Sequence, residues 1–215
     1  VEEVPTPVIG EDEILLRVKA AAICGTDVRM FANGAKGIDG EHPCILGHEI
    51  AGVIEKVGAG VAGYRPGQRV AVAPNMGCGI CDSCVHGDGH LCPEYKALGI
   101  NLNGGFAEYC VIPEAAVRGG NVAVLDDAVS FEEAAVNEPL SCVCNGFERA
   151  DIRPGDFVLV YGAGPIGIMH TALARMAGAG RVFVSDVLES RLAAVKALYP
   201  DVITLPDRVE EEVMR

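Results

Sequence analysis

The sequence has no tryptophan, and only 5% of its residues are aromatic, against 27 glycines. A chain so composed suits tight turns and close backbone approaches. Positive charge is scarce as well. Seventeen Lys and Arg face 30 Asp and Glu, giving a formal net charge of −13. This balance argues against nucleic acid or an anionic membrane surface as the main partner, because both need a basic face. No clean membrane-spanning run is present. The longest stretch without a formal charge, Phe157 to Ala174, touches the lower length limit for a span, but Gly162, Gly164, Pro165 and Gly167 sit in its middle. A strand, a loop and a helix explain it better. Internal repeats and low-complexity tracts are lacking. The opening Val1-Glu2-Glu3 does not look like a signal peptide and carries no initiator methionine. With 50% hydrophobic residues and a mean hydropathy of +0.28, the 215 residues are not a disordered chain. They suffice for one large domain, or for one domain and part of another.

Nine cysteines are an odd number, and four of them crowd into the stretch from Cys78 to Cys92. Metal binding in a reducing compartment fits this better than a disulfide framework, so a cytoplasmic protein is expected. Cys78, Cys81, Cys84 and Cys92 are spaced C-x2-C-x2-C-x7-C. Four thiolates at this spacing can close a tetrahedron around Zn²⁺ with no free position, which makes the site structural. Residues 74–95 hold little that could build a core, and the metal would stand in for one. The competing readings are four reduced surface thiols, or an iron–sulfur cluster, for which Cys92-Pro93 is the one supporting feature. His86 and His90 fall in the same lobe and read as solvated loop residues. Cys44, Cys110, Cys142 and Cys144 fit no ligand spacing and read as packing residues.

The pattern along the chain changes near Asp151. Before it, short apolar runs are broken by Gly and Pro: Ile14–Val18, Ile50–Ile54, Arg69–Ala73 and Phe106–Ile112. These read as strands of a barrel or sandwich. After it, Phe157–Tyr161 reads as a strand, Pro165–Ala177 as a helix, Arg181–Ser185 as a strand and Glu189–Leu198 as a helix. Such alternation implies a parallel sheet. The second region is about half of a doubly wound dinucleotide-binding fold. It ends in Val209–Arg215, which reads as an unfinished helix. The chain is therefore expected to be a fragment of a longer protein. Two domains are expected, at 1–150 and 151–215.

Cys24, in Cys24-Gly25-Thr26-Asp27, and Gly47-His48-Glu49 supply a thiolate, an imidazole and a carboxylate. That set is typical of a Zn²⁺ with one position left for substrate. The run Gly47-His48-Glu49-x2-Gly52-x5-Gly58-x2-Val61 resembles the zinc-containing medium-chain alcohol dehydrogenases. Cys24-Gly25-Thr26-Asp27 resembles the same family's first-ligand segment, and the four-cysteine lobe its structural zinc site. Asn137-Glu138-Pro139-Leu140 resembles the Glu-Pro-Leu segment of the sorbitol (polyol) dehydrogenase branch. The resemblance covers essentially the whole chain. It implies a GroES-like β-barrel catalytic domain over 1–150, followed by the first half of an α/β Rossmann domain over 151–215.

On this resemblance, Cys24 and His48 would be catalytic zinc ligands. Glu49 would be a third ligand or a close neighbour, and Glu138 would bind zinc directly or through a water. Thr26 would take the proton of the substrate hydroxyl. Asp27 is either the acceptor that fixes the His48 tautomer or a turn and helix cap. Arg29 departs from the family, which often has a histidine relay there; an arginine stays protonated and cannot relay. Phe106, after Gly104-Gly105, reads as pocket lining or as an ordinary buried residue.

Gly162-Ala163-Gly164-Pro165-Ile166-Gly167 is G-x-G-x-x-G, placed after a strand and opening a helix, as a dinucleotide loop requires. Asp186 follows the last glycine by 19 residues. A carboxylate there would accept the ribose hydroxyls and repel a 2′-phosphate, favouring NAD over NADP; the competing reading is a helix cap. Arg191 would lie near the adenosine or on a solvated helix face. The expectation is thus an NAD-linked oxidoreductase with two zinc ions, one catalytic and one structural. It would act on a small polyol or secondary alcohol, and would be a homo-oligomer at full length. The alternatives are an L-threonine or sugar-phosphate dehydrogenase, or a non-enzymatic zinc-binding module.

Overall fold

The computed structural model of the chain describes residues 1–35 and 37–205. The helix expected over Val209–Arg215 lies outside the described residues. The chain divides into two compact units, Val1–Glu138 and Pro139–Arg215.

The first unit carries β1 (Ile14–Ala22), α1 (Gly25–Asn33), β2 (Glu49–Val57), β3 (Arg69–Val72), β4 (Asn75–Met76), α2 (Asp82–Val85), β5 (Lys96–Ala97), β6 (Tyr109–Ile112), α3 (Glu114–Arg118), β7 (Val122–Val124) and α4 (Phe131–Ala135). Five strands form one antiparallel sheet in the order β6-β1-β2-β3-β7. The apolar runs read from the sequence supply its core. Ile14, Leu16, Ile50, Ile54, Val70 and Ile112 are all buried together with Leu98. Each such side chain contributes about 1.5–3 kcal/mol by leaving water. α4 covers a second, smaller cluster of Ala51, Ala71, Ala134 and Ala135. It begins at Ser130, whose hydroxyl accepts the Glu133 N–H at 3.1 Å while the Glu133 carboxylate accepts the Ser130 N–H at 2.8 Å. β4 and β5 make a separate two-stranded ribbon at the base of the four-cysteine lobe. The strand expected to begin at Phe106 begins instead at Tyr109. Residues 104–106 run in a loop paired with residues 45–47.

The second unit holds most of α5 (Asn137–Ala150), then β8 (Phe157–Tyr161), α6 (Pro165–Met176), β9 (Arg181–Ser185), α7 (Glu189–Leu198) and β10 (Ile203–Leu205). Its three strands are parallel in the order β10-β9-β8, the 3-2-1 half of a doubly wound sheet. Val160, Val182, Val184, Leu192, Val195 and Val202 form its core. The division between units falls at Glu138/Pro139, inside α5, rather than at residue 150 as the strand pattern suggests. The physical reason is that Phe147 of α5 packs on the core of the second unit. No helix among the described residues is long and apolar enough to cross a membrane.

Candidate metal centres and dinucleotide loop

Sulfurs of Cys78, Cys81, Cys84 and Cys92 all lie within 4.8 Å of one another. Cys81 Sγ and Cys92 Sγ are 3.8 Å apart. A tetrahedron with Zn–S bonds of about 2.3 Å has edges of about 3.8 Å, so the four-thiolate set fits this ion. Backbone N–H groups donate to two of the sulfurs. Cys92 Sγ accepts from the N–H of Cys78 and of Glu94, both at 3.3 Å, and Cys78 Sγ accepts from Cys81 N–H at 3.4 Å. The N–H groups of Ile80 and Cys81 hold the Cys78 thiol down to about 7. Cys44 and Cys110 join neither centre. Burial pushes the Cys110 thiol up to about 12, and that of Cys44 upward too. No disulfide links the described cysteines.

The second group is built by strand register. Antiparallel pairing sets Ala22 of β1 opposite Glu49 of β2. Cys24, two residues past β1 and at the N-terminus of α1, therefore meets His48 and Glu49 where β2 begins. One ligand atom from each of Cys24, His48 and Glu49 lies within 4.8 Å of the others, with both His48 and Glu49 buried. The carboxyl of Glu49 is pushed up by burial and by the negative charge of Glu138, and is held down by His48 and a hydrogen bond with Cys24. Glu138 lies outside the three-residue group but close enough to act on it. Cationic metal between these groups would relieve the repulsion. A thiolate, an imidazole and a carboxylate are a donor set that Zn²⁺ accepts.

Asp27 ties the pieces together. Its Oδ2 accepts the Cys24 N–H at 2.8 Å and its Oδ1 accepts the Gly47 N–H at 3.2 Å. Both roles read from the sequence are therefore present in part: the carboxylate caps α1, and its Oδ1 also faces His48 Nδ1 at 3.4 Å. That last separation exceeds an ordinary N–H···O bond, and the buried Nδ1 has no hydrogen bond within normal limits. Thr26 is half-buried in the first turn of α1, and Arg29 is exposed on the same helix.

In the second unit, Gly162 has φ +98°, and its N–H donates to Ser185 O at 2.7 Å, joining the ends of β8 and β9. Gly164 caps α6 and Pro165 takes the first helical position. A Cβ on Gly164 would meet nothing within 4 Å, whereas one on Gly167 would lie 1.7 Å from Gly162 O. The first position is open to a ligand, and the second must stay bare for the helix to reach the strand. Ile166, also in the loop, is 46% exposed. Asp186 follows β9 and is buried. Its carboxylate accepts the N–H of Ala163 and of Leu188, both at 2.8 Å, and these bonds hold its pKa low. Arg191 Nη1 lies 3.5 Å from Asp186 Oδ2. The Leu188 bond closes the turn that leads into α7, whose N-cap is Leu188 itself, so Asp186 is no helix cap; the Ala163 bond fixes the same carboxylate against the glycine loop.

Residues 10–119 match the family model for the alcohol dehydrogenase GroES-like domain. The chain belongs to this family. The GroES-like domain contains Cys24, His48, Glu49 and all four lobe cysteines; Glu138 and the glycine loop lie beyond it. The chain is 38% identical over 200 residues to the sorbitol dehydrogenase of Bacillus subtilis (strain 168), covering 92% of this chain and 55% of that protein. It is 39% identical over 202 residues to the L-threonine 3-dehydrogenase of Mesorhizobium japonicum, covering 92% of this chain and 56% of that one. Among solved structures it superposes on the cobalt- and zinc-bound thermostable alcohol dehydrogenase from Pyrobaculum aerophilum with a TM-score of 0.84 and 31% identity, covering 97% of this chain and 62% of that chain. The chain spans little more than half the length of these relatives. The architecture is a GroES-like domain followed by part of a Rossmann domain.

The packing of Gly47 against Gly99, Gly104 and Phe106 went unread in the sequence, although it adjoins His48. The only signal was the density of glycines.

Proposed function

We propose that the intact protein is a zinc-dependent, NAD-linked dehydrogenase of a polyol or secondary alcohol. The observation that carries this reading is the convergence of Cys24, His48 and Glu49 in a buried three-residue group, beside a separate four-thiolate group. Three protein ligands mark a site for chemistry, four a site for structure. Zinc held by the three-residue group would supply Lewis acidity that lowers the pKa of a substrate hydroxyl. Thr26, in the first turn of α1, accepts a hydrogen bond from that hydroxyl and relays its proton, releasing its own hydroxyl proton to solvent as it gains the substrate's. Asp27 holds the chain at Cys24 and Gly47, and so keeps the thiolate and imidazole in register. Glu138 adds negative charge beside Glu49, which strengthens attraction for a cation and raises the cost of keeping the Glu49 carboxyl ionised without one.

Gly162, Gly164, Pro165, Ile166 and Gly167 present the N-terminus of α6 to the pyrophosphate of a dinucleotide. Asp186 accepts the ribose hydroxyls and disfavours a 2′-phosphate, with Arg191 alongside. The lobe cysteines bind a second zinc that replaces a missing core. L-Threonine and sugar phosphates are the competing substrates, since an L-threonine 3-dehydrogenase stands as near in identity as the sorbitol enzyme. The thiol-rich sites favour a reducing, cytoplasmic setting, and a homo-oligomer is the proposed assembly. The test is a substrate panel with the full-length protein, following NADH absorbance. Oxidation of a polyol that disappears in Cys24→Ser supports the reading. A protein that carries both metal ions yet turns over no alcohol, polyol or L-threonine refutes it.

A further inference from the structure

The His48 imidazole is buried, yet one of its ring nitrogens is left without a hydrogen bond. Its imidazole is 5% exposed, yet Nδ1 makes no hydrogen bond, and its nearest acceptor, Asp27 Oδ1, stands 3.4 Å away. A contact of that length weakens steeply relative to one at about 2.9 Å and does not fix a ring by itself. The backbone before it is fixed from every side. Gly47 has φ +94°, a region that disfavours any side chain. Its N–H is bound by Asp27 at 3.2 Å. Its carbonyl accepts Gly105 N–H at 2.8 Å, and the neighbouring bonds Gly104 N–H to Ile45 O and Phe106 N–H to Leu46 O measure 2.7 and 2.9 Å. Gly99 and Gly104 press on the same carbonyl so closely that a Cβ on either would lie 2.4 or 2.1 Å from it. The last wall is aromatic. A Cβ on Gly47 would sit 2.6 Å from the Phe106 ring, so the ring lies directly on the bare Cα. Phe106 is 41% exposed overall; it is no ordinary core residue, and only part of its surface is used in this contact.

We propose that Phe106 is a positioning residue for His48: its ring seals the Gly47 crossing and thereby aims the imidazole that the Asp27 carboxylate holds only loosely. This rests on the reading that Cys24, His48 and Glu49 bind a metal. Deleting the ring removes one wall of the crossing at Gly47, which the backbone hydrogen bonds then hold alone, and the imidazole loses part of its fixed bearing. Losing a hydrogen-bond partner of a ligating histidine typically costs about 10–100-fold in metal affinity, and a packing wall one residue away is expected at the lower end of that range.

The test uses the full-length protein loaded with Co²⁺ at both centres. Ligand-field absorption of each centre is recorded, and metal loss to EDTA is timed, for wild type, Phe106→Ala, Phe106→Leu and Cys24→Ser. Cys24→Ser identifies the bands of the three-residue group by their disappearance. The expected result is about tenfold faster metal loss from that group in Phe106→Ala and a shifted band. Phe106→Leu should fall between it and wild type, and the four-thiolate bands should be unchanged. Should Phe106→Ala fail to fold, the comparison of Phe106→Leu with wild type carries the same reading. Wild-type rate and spectrum in the Phe106 variants overturn the proposal, as does equal acceleration at both centres, which is global loosening. If Cys24→Ser itself retains both metal ions, the metal reading of the site falls instead, and the two failures are thereby told apart.

Discussion

The four-cysteine lobe takes all its ligands from one stretch, Cys78 to Cys92, and that stretch has little else to hold it. Its helix α2 spans only Asp82–Val85 and buries no residue, and Ile80, Val85 and Leu91 are exposed. The Cys24/His48/Glu49 group takes its ligands from the ends of two paired strands, above a core that includes Ile14, Leu16 and Ile50. On the proposed reading, the metal would make the structure in the first case, whereas in the second the strands already stand where a metal would be met. A metal ion removed from the lobe should cost order; one removed from the other group should cost chemistry.

The largest effect is expected from Cys84→Ser. Structural zinc contributes about 10–16 kcal/mol of binding energy that is also folding energy. Elemental analysis should find one ion fewer per chain, and limited proteolysis should open residues 77–95. An uncut lobe in this variant would break the comparison. Cys24→Ser comes next. It should also lose one ion, with turnover falling about a thousandfold or more, yet its circular dichroism and proteolytic pattern should match wild type. The β1–β2 register does not depend on the ion.

Asp186→Ser touches neither centre and should change only the nucleotide. The ratio of kcat/KM for NADP over NAD should rise about tenfold, equivalent to about 1.4 kcal/mol, with metal content unchanged. The smallest effect is expected from Ser130→Ala, which removes the cap of α4. A loss of about 1 kcal/mol in denaturant-measured stability, again with both ions retained, would mark the background against which the metal effects are judged.

The same contrast explains what could be read from the sequence. The lobe was legible because its four ligands are local and their spacing is itself the geometry. β8, β9, α6 and α7 were legible within a residue, because each has a Gly or Pro at or just beyond at least one end. The Cys24/His48/Glu49 group was visible only as an unusual combination and through family resemblance. What unites it is a long-range register, Ala22 opposite Glu49, that no local pattern records. The compact units divide earlier than the strand pattern suggests because a helix carries no mark of which core will claim it; Phe147 of α5 packs with the second. The close crossing at Gly47 was hidden for a similar reason, since its partners Gly99, Gly104 and Phe106 are some fifty residues away.

The ribbon beneath the lobe has a consequence for how such a chain can change over generations. Asn75 pairs with Ala97 and Met76 with Lys96, so the lobe leaves and re-enters the domain at neighbouring points. A short turn joining Met76 to Lys96 would close the hairpin and leave β3 and the Gly99–Phe106 segment on their present paths. The lobe is therefore a detachable insertion: a lineage can gain it in one insertion event or lose it in one deletion event without redrawing the barrel. The Cys24/His48/Glu49 group allows no such excision, because its residues sit at the ends of the interior strands β1 and β2, and a lineage can abandon it only one substitution at a time.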